Sequence, residues 1–279
     1  MLLISTAKHS LDELLEVRGH VDGYELGIGL IEHNRKLCSI LHGSIRTIHN
    51  LPALMPEEKG FMMEPAVNPE PAAEMAAKMV KRVKGMLNSW EVYGVHAGLR
   101  GQIKGSTDFT VKGGLLSLEK CLENIRVFCD MMRGVIPPEK LAVENIYGAD
   151  ERSPAVGTDE DELRLLSKAT PLLLDIGHLA VNCAYKKNPL ESLNLRGLRV
   201  AELHVSFLHP KINDFTPENL KAAPMFWDHH PYTDTPVNRQ ILNMALQLIK
   251  KTMPVVVEVS GTPKEIKHTL EKLSFARDR

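Results

Sequence analysis

The chain has 279 residues, 34 Lys plus Arg against 35 Asp plus Glu, a formal net charge of -1 and 43% hydrophobic residues. No apolar run reaches the roughly 18 residues that a membrane-spanning helix needs, and the balanced charge gives no bulk attraction for nucleic acid or anionic lipid. The unusual count is 12 His, about twice ordinary usage; the four Cys form no CxxC pair and read as reduced thiols of a cytoplasmic protein.

Met1 to His9 has no basic segment ahead of a long apolar one, so no signal peptide is expected. Along the chain, short β-rich runs alternate with helical periodicity. Strands are expected at Leu2–Ser5, Gly23–Ile28, Ser44–His49, Val92–His96, Leu141–Asn145, Leu172–Ile176, Val200–Val205 and Val255–Val259. They lack strict alternation, as strands covered on both faces do. Helices are expected at Ser10–Arg18 after a capping-box start, at Pro71–Trp90, at Leu115–Met132, at Asp159–Ala169 with Thr158 as cap, at Val237–Lys251 and at Pro263–Leu273. Met75, Met79, Val83 and Leu87 repeat at helical spacing and read as core. The proline-rich stretch Leu51–Pro71 reads as an ordered loop. Eight strands alternating with helices point to a single (β/α)8 TIM barrel spanning residues 1–279 as one α/β domain. An open doubly wound sheet competes, but no GxGxxG or GxxxxGK[ST] follows a strand.

The strand ends carry the chemistry. They supply His49, His96, Glu144, Asp175, His204 and Glu258, with His178 three residues after Asp175, and Asp228 and His230 in the loop after the seventh strand. A carboxylate buried in an apolar run needs a cation, a metal or a shifted pKa. A barrel brings the carboxyl ends of its strands to one small volume. Four carboxylates and five imidazoles there read as a divalent-metal site, with Zn²⁺ first and Mn²⁺ or Fe²⁺ as alternatives. Nine ligands exceed the needs of one ion and suit two or three.

In this order the residues resemble the xylose isomerase-like TIM-barrel superfamily and, within it, the endonuclease IV family (AP endonuclease family 2). The resemblance runs from about Leu2 to Glu258. It implies a trinuclear zinc site of His49, His96, Glu144, Asp175, His178, His204, Asp228, His230 and Glu258, with Glu144 bridging two ions and Asp228-x-His230 holding the third. The sequence departs from the family at Asp-Ile-Gly-His around His178 and at His-Ala-Gly around His96. The stretch after His49 offers no aromatic or Arg to wedge between bases, so the resemblance carries the metals further than it carries DNA. Glu144, Asp175, His204 and Glu258 also match the one-ion set of sugar isomerases and epimerases in the superfamily, where the two Glu act as acid and base. The stretch Leu172–Asn182 resembles multinuclear-iron oxidases.

The first functional expectation is therefore a metal-dependent phosphoesterase acting through metal-bound hydroxide on a small phosphorylated substrate, or on DNA. The second is a sugar isomerase or epimerase with Glu144 and Glu258 as catalytic residues. A non-catalytic metal-binding barrel is the third. His229 is expected to point away from Asp228 in an extended loop. Glu202 and Asn145 are candidates for orienting ligands, Glu25 for orienting a ligand or facing the substrate, Arg100 and Lys104 for a loop over an anion, and Trp227 and His209 for substrate contact. His9, His20, His33, His42 and His268 read as surface.

Overall fold

Strands that are apolar on both faces need a layer on each side. Here helices supply the outer layer and the barrel interior the inner one. The computed structural model describes residues 1–28, 31–41, 43–50, 64–102, 111, 113–148, 154–214, 216, 218 and 227–277, with backbone alone at 28, 31–34 and 275–277. The strands are β1 (Leu2–Ser5), β2 (Gly23–Ile28), β3 (Ile45–Asn50), β4 (Val92–His96), β5 (Leu141–Glu144), β6 (Leu172–Asp175), β7 (Val200–Val205) and β8 (Val255–Val257). They pair in parallel in chain order, and β8 pairs with β1 to close the barrel. The intervening helices are α1 (Leu11–Glu16), α2 (Ile31–Leu41), α3 (Pro69–Lys84), α4 (Leu118–Met132), α5 (Glu160–Ala169), α6 (Ile176–Lys186), α7 (Pro236–Leu248) and α8 (Pro263–Arg277). The chain is an eight-stranded (β/α) barrel, as its periodicity foretold.

Two helices escape the sequence reading. In α6, Ile176 through Ala184 are all buried, so the segment lacks the polar face that marks a helix by periodicity. It starts immediately after β6, with Asp175 as its N-cap, and the apolar Ile176 reads as a continuation of the strand. α2 mixes its apolar and polar residues too evenly to stand out, although Leu37, Cys38 and Leu41 are buried. Elsewhere the caps differ in detail. Ser10 and Glu13 form the expected capping box. The N-cap of α5 is Asp159 rather than Thr158, whose backbone N–H and hydroxyl donate to Glu162 instead. In the proline-rich stretch, 51–63 lies outside the described residues, and α3 starts at Pro69 rather than Pro71.

The main core lies between strands and helices, with Leu26, Ile48, Tyr93, Val95, Val143, Leu174 and Val205 facing the helices. The alternate residues of each strand face inward. At the lower level Val92, Ala142 and Leu173 form a separate small apolar cluster. Two residues further along the same strands stand Gly94, Glu144 and Asp175, with His96 beyond Gly94, so the period of two lifts polar side chains to the carboxyl end. One glycine is needed for this convergence. A Cβ on Gly177 would run into Ser206 Oγ, so Gly177 lets the first turn of α6 press against the end of β7.

Candidate metal centre

Strand register sets the neighbours. His96 lies beside Glu144, Asp175 beside His204, and His49 beside Gly94, whose missing Cβ leaves room for Leu173. Three groups of donor atoms result, each with atoms within 4.8 Å of one another. The first is His49, His96 and Glu144; the second is Glu144, Asp175 and His204; the third is His178, Asp228 and His229. A further group joins Glu25, His49, His204 and Glu258. Glu144 thus belongs to two groups.

In the first group, His49 Nε2 and His96 Nε2 lie 2.7 and 2.9 Å from the same oxygen of Glu144. In the second, His204 Nδ1 lies 4.0 Å from oxygens of both Glu144 and Asp175, and the same nitrogen lies 3.1 Å from Glu258 Oε2 of the further group. In the third, His178 Nε2 is 3.4 Å from Asp228 Oδ2, and His229 Nε2 is 3.6 Å from Asp228 Oδ1. Eight of the nine sequence candidates are therefore brought together.

The ninth is displaced by one residue. His230 enters none of these groups among the described residues; His229 takes its place. His229 sits in the left-handed region at φ 58°, which breaks the alternation that an extended loop would keep. His230 then pairs its backbone with Phe207, and its ring packs 4.9 Å from His209. The His229 backbone carbonyl accepts from Ser260 N–H, and its Nδ1 bonds the Glu258 carbonyl at 3.0 Å.

The donor set fits divalent ions on two grounds. Both oxygens of Glu144, both of Asp228, Asp175 Oδ2 and both His49 nitrogens are buried without a hydrogen-bond partner among the described residues. Buried polar atoms are rarely left so, and these converge. The imidazoles are also oriented for ligation. His178 Nδ1 meets the Asn145 carbonyl at 3.0 Å, and His229 Nδ1 meets the Glu258 carbonyl. A carbonyl only accepts, so each Nδ1 is the N–H in the neutral ring, and each Nε2 lone pair faces Asp228. Histidines that bind metals anchor their second nitrogen in this way. Asn145 contributes more: its side chain bonds both the N–H and the C=O of Asp175. Asp175 divides its own oxygens, one accepting from His178 N–H at 2.7 Å and the other facing the centre.

The metal-free electrostatics show the same crowding. Burial opposes charge on His49, but Glu144 outweighs it and lifts the pKa to about 9. Burial wins at His96, which is lowered despite Glu144. Burial also works against the Glu144 carboxylate, yet His96 and His49 hold it well below the usual range. Glu258 is likewise held low, with burial overcome by His229 and His204. Burial raises Asp175. The side chains of His96 and His229 keep 16% and 14% exposure, so the centre is open to solvent at these two.

Other residues fall as follows. Tyr147 stands with its ring 5.1 Å from that of His178 and 5.8 Å from that of Trp227, forming an aromatic wall. Sequence reasoning missed it, because a lone Tyr after a strand carries no signal. Arg100 Nε donates to the Leu116 carbonyl; Lys104 lies outside the described residues. Glu25 and Glu202 are fully buried beside His204. His9 is buried, not on the surface, and burial lowers its pKa. His20 and His268 are exposed; the side chains of His33 and His42 lie outside the described residues. Glu64, also missed, is buried against Gly98, and burial pushes it up to about 7.

No protein-family model matches the chain, and none of the curated proteins does. Solved structures match it over nearly its whole length. One is a D-tagatose 3-epimerase-like protein, with a TM-score of 0.59, 14% identity and coverage of 99% of this chain and 97% of that one. Another is the IolI protein with a binding zinc atom, at 0.57, 13%, 99% and 95%. A third is an AP endonuclease of family 2 from Brucella melitensis, at 0.51, 11%, 98% and 97%. These neighbours are xylose isomerase-like TIM-barrel proteins, and the chain shares their fold.

Proposed function

We propose that the chain is a divalent-metal-dependent phosphoesterase with a three-ion centre. The observation that carries this reading is the sharing of Glu144 between two donor groups, with a separate third group around Asp228. His49, His96 and Glu144 would hold one ion. Glu144, Asp175, His204 and Glu258 would hold a second, and His178, Asp228 and His229 a third. Zn²⁺ suits this mix of imidazole and carboxylate, with Mn²⁺ or Fe²⁺ as alternatives. Such ions supply a water of lowered pKa and positive charge for attacking and leaving oxygens.

The chain's own residues prepare the site for that chemistry. Asn145 locks the ends of β5 and β6 together through Asp175, which fixes the spacing between the first two groups. Tyr147 and Trp227 wall the side next to His178, where a substrate's organic part would rest. Three divalent ions carry six positive charges, which turn a formal charge of -1 to about +5 and make the pocket attractive to a phosphate.

A zinc-loaded preparation tests the reading against an activated phosphodiester and against a duplex holding an abasic site. Zinc-dependent cleavage of either supports it, and the pair separates a small ester from DNA. Cleavage of neither, with three zinc ions bound, contradicts it.

A second reading rests on the convergence of Glu144, Asp175 and Glu258 around His204 Nδ1. Around one ion, Glu144 and Glu258 would move a proton at a carbon next to a carbonyl, as in a sugar isomerase or epimerase. One bound ion and interconversion of ketose epimers would favour it.

A further inference from the structure

Glu25 is not among the nine ligands that the strand-end pattern supplies, yet it lies wholly buried in the barrel beneath them. Its Oε2 meets His204 Nε2 at 2.8 Å. The opposite nitrogen, His204 Nδ1, faces Glu258 at 3.1 Å and Glu144 and Asp175 at 4.0 Å. His204 is itself fully buried, so no solvent competes for either nitrogen.

We infer that Glu25 is a positioning residue that fixes the tautomer of His204 and thereby turns its Nδ1 lone pair to the second ion. The inference rests on the metal reading above and deepens it. A carboxylate has no hydrogen to give. In the contact with Glu25 the N–H therefore sits on His204 Nε2. Nδ1 meets the Glu258 carboxylate at 3.1 Å in the metal-free ring and is an N–H there by the same argument; an ion held by Glu144, Asp175 and Glu258 would displace that hydrogen and take the Nδ1 lone pair, while Glu25 keeps Nε2–H. Nδ1 points at the three carboxylates that would complete a coordination shell. His178 and His229 are anchored in the opposite sense, with Nδ1 held by backbone carbonyls. No backbone carbonyl bonds His204 among the described residues; the buried carboxylate does this work. Glu202 stands behind it, with Oε1 3.7 Å from the same nitrogen, which places a second carboxylate on the Nε2 side of the ring. Outer carboxylates of this kind also raise the basicity of the ligating imidazole.

The test uses the full chain, zinc alone as probe, and ¹⁵N-labelled histidine. In the zinc-loaded protein His204 is expected to show a protonated Nε2 and a zinc-shifted Nδ1, assigned by its absence from His204→Ala. Glu25→Ala is expected to bind one of the zinc ions about 10–100-fold more weakly and to lose the Nε2–H signal. Glu25→Gln keeps an acceptor oxygen and the volume, so it also serves if the alanine variant does not fold. It is expected to recover the Nε2–H signal and most of the affinity. Unchanged zinc affinity and signal in Glu25→Ala, in a protein whose wild type binds zinc, would overturn this inference alone. Loss of a whole zinc equivalent in Glu25→Gln would overturn it too, since it would make Glu25 a ligand rather than a support. A wild type that binds no zinc would overturn the metal reading and this inference with it.

Discussion

His49 and His96, on adjacent strands, aim their Nε2 atoms at one oxygen of Glu144, at 2.7 and 2.9 Å. Neither Glu144 oxygen has a hydrogen-bond partner among the described residues, and neither does either His49 nitrogen. Three donors that approach so closely without hydrogen-bond geometry are arranged around a point rather than toward each other. Glu144→Gln keeps the shape and removes the charge. Its zinc content after loading is expected to fall from three ions to one, the ion at Asp228, with the circular dichroism of the barrel retained. Retention of three ions would mean that Glu144 is not shared.

His229 and His230 offer a direct comparison of neighbours. His229→Ala is expected to lose the zinc held with His178 and Asp228, and His230→Ala to keep it. Metal analysis of the two variants, side by side, checks this, and the reverse pattern would restore the spacing expected from the sequence.

The pH dependence follows from His49. Its pKa in the folded, metal-free protein lies at about 9, above the ordinary 6.5. A group raised on folding stabilises the fold fully below its unfolded pKa, and that contribution is lost as pH rises through the folded value. The melting temperature of metal-free protein is therefore expected to fall between about pH 6.5 and 9. The zinc-loaded protein should not show this loss, because its imidazoles are already deprotonated. Zinc added at pH 7.5 in weak buffer is expected to release protons. A flat metal-free melting profile across that window, with no proton release, would contradict the assignment.

Gly177 permits the close approach of α6 to Ser206. Gly177→Ala is expected to cost about 1–3 kcal/mol, as overpacking of a filled interior does, read as a lower midpoint in urea. Ser206→Ala in the same chain should recover part of the loss. Wild-type stability in the single variant would show that the two elements have slack.

The candidate ligands legible in the sequence are those where a short apolar run ends in an ionisable residue. Glu144 after Leu-Ala-Val and Glu258 after Val-Val-Val are such cases, because burial makes the carboxylate conspicuous. What stayed hidden depends on backbone detail. His229 reaches Asp228 through one left-handed residue, and non-glycine residues reach that region too rarely for spacing rules to anticipate it. α6 was obscured because a helix buried on every side loses its period. Tyr147 and Glu64 gain their settings from contacts distant in sequence, with His178 of α6 and Trp227 of the loop after β7 for the first and with Gly98 for the second.

The central claim is a centre of three ions on one chain. Metal content per chain, measured by mass spectrometry of the elements after zinc loading and exhaustive dialysis, tests it most directly. Three zinc ions per chain are expected, falling to two in His229→Ala. One ion per chain, unchanged in His49→Ala and Asp228→Asn, would contradict the three-ion centre and leave the single-ion isomerase arrangement around His204.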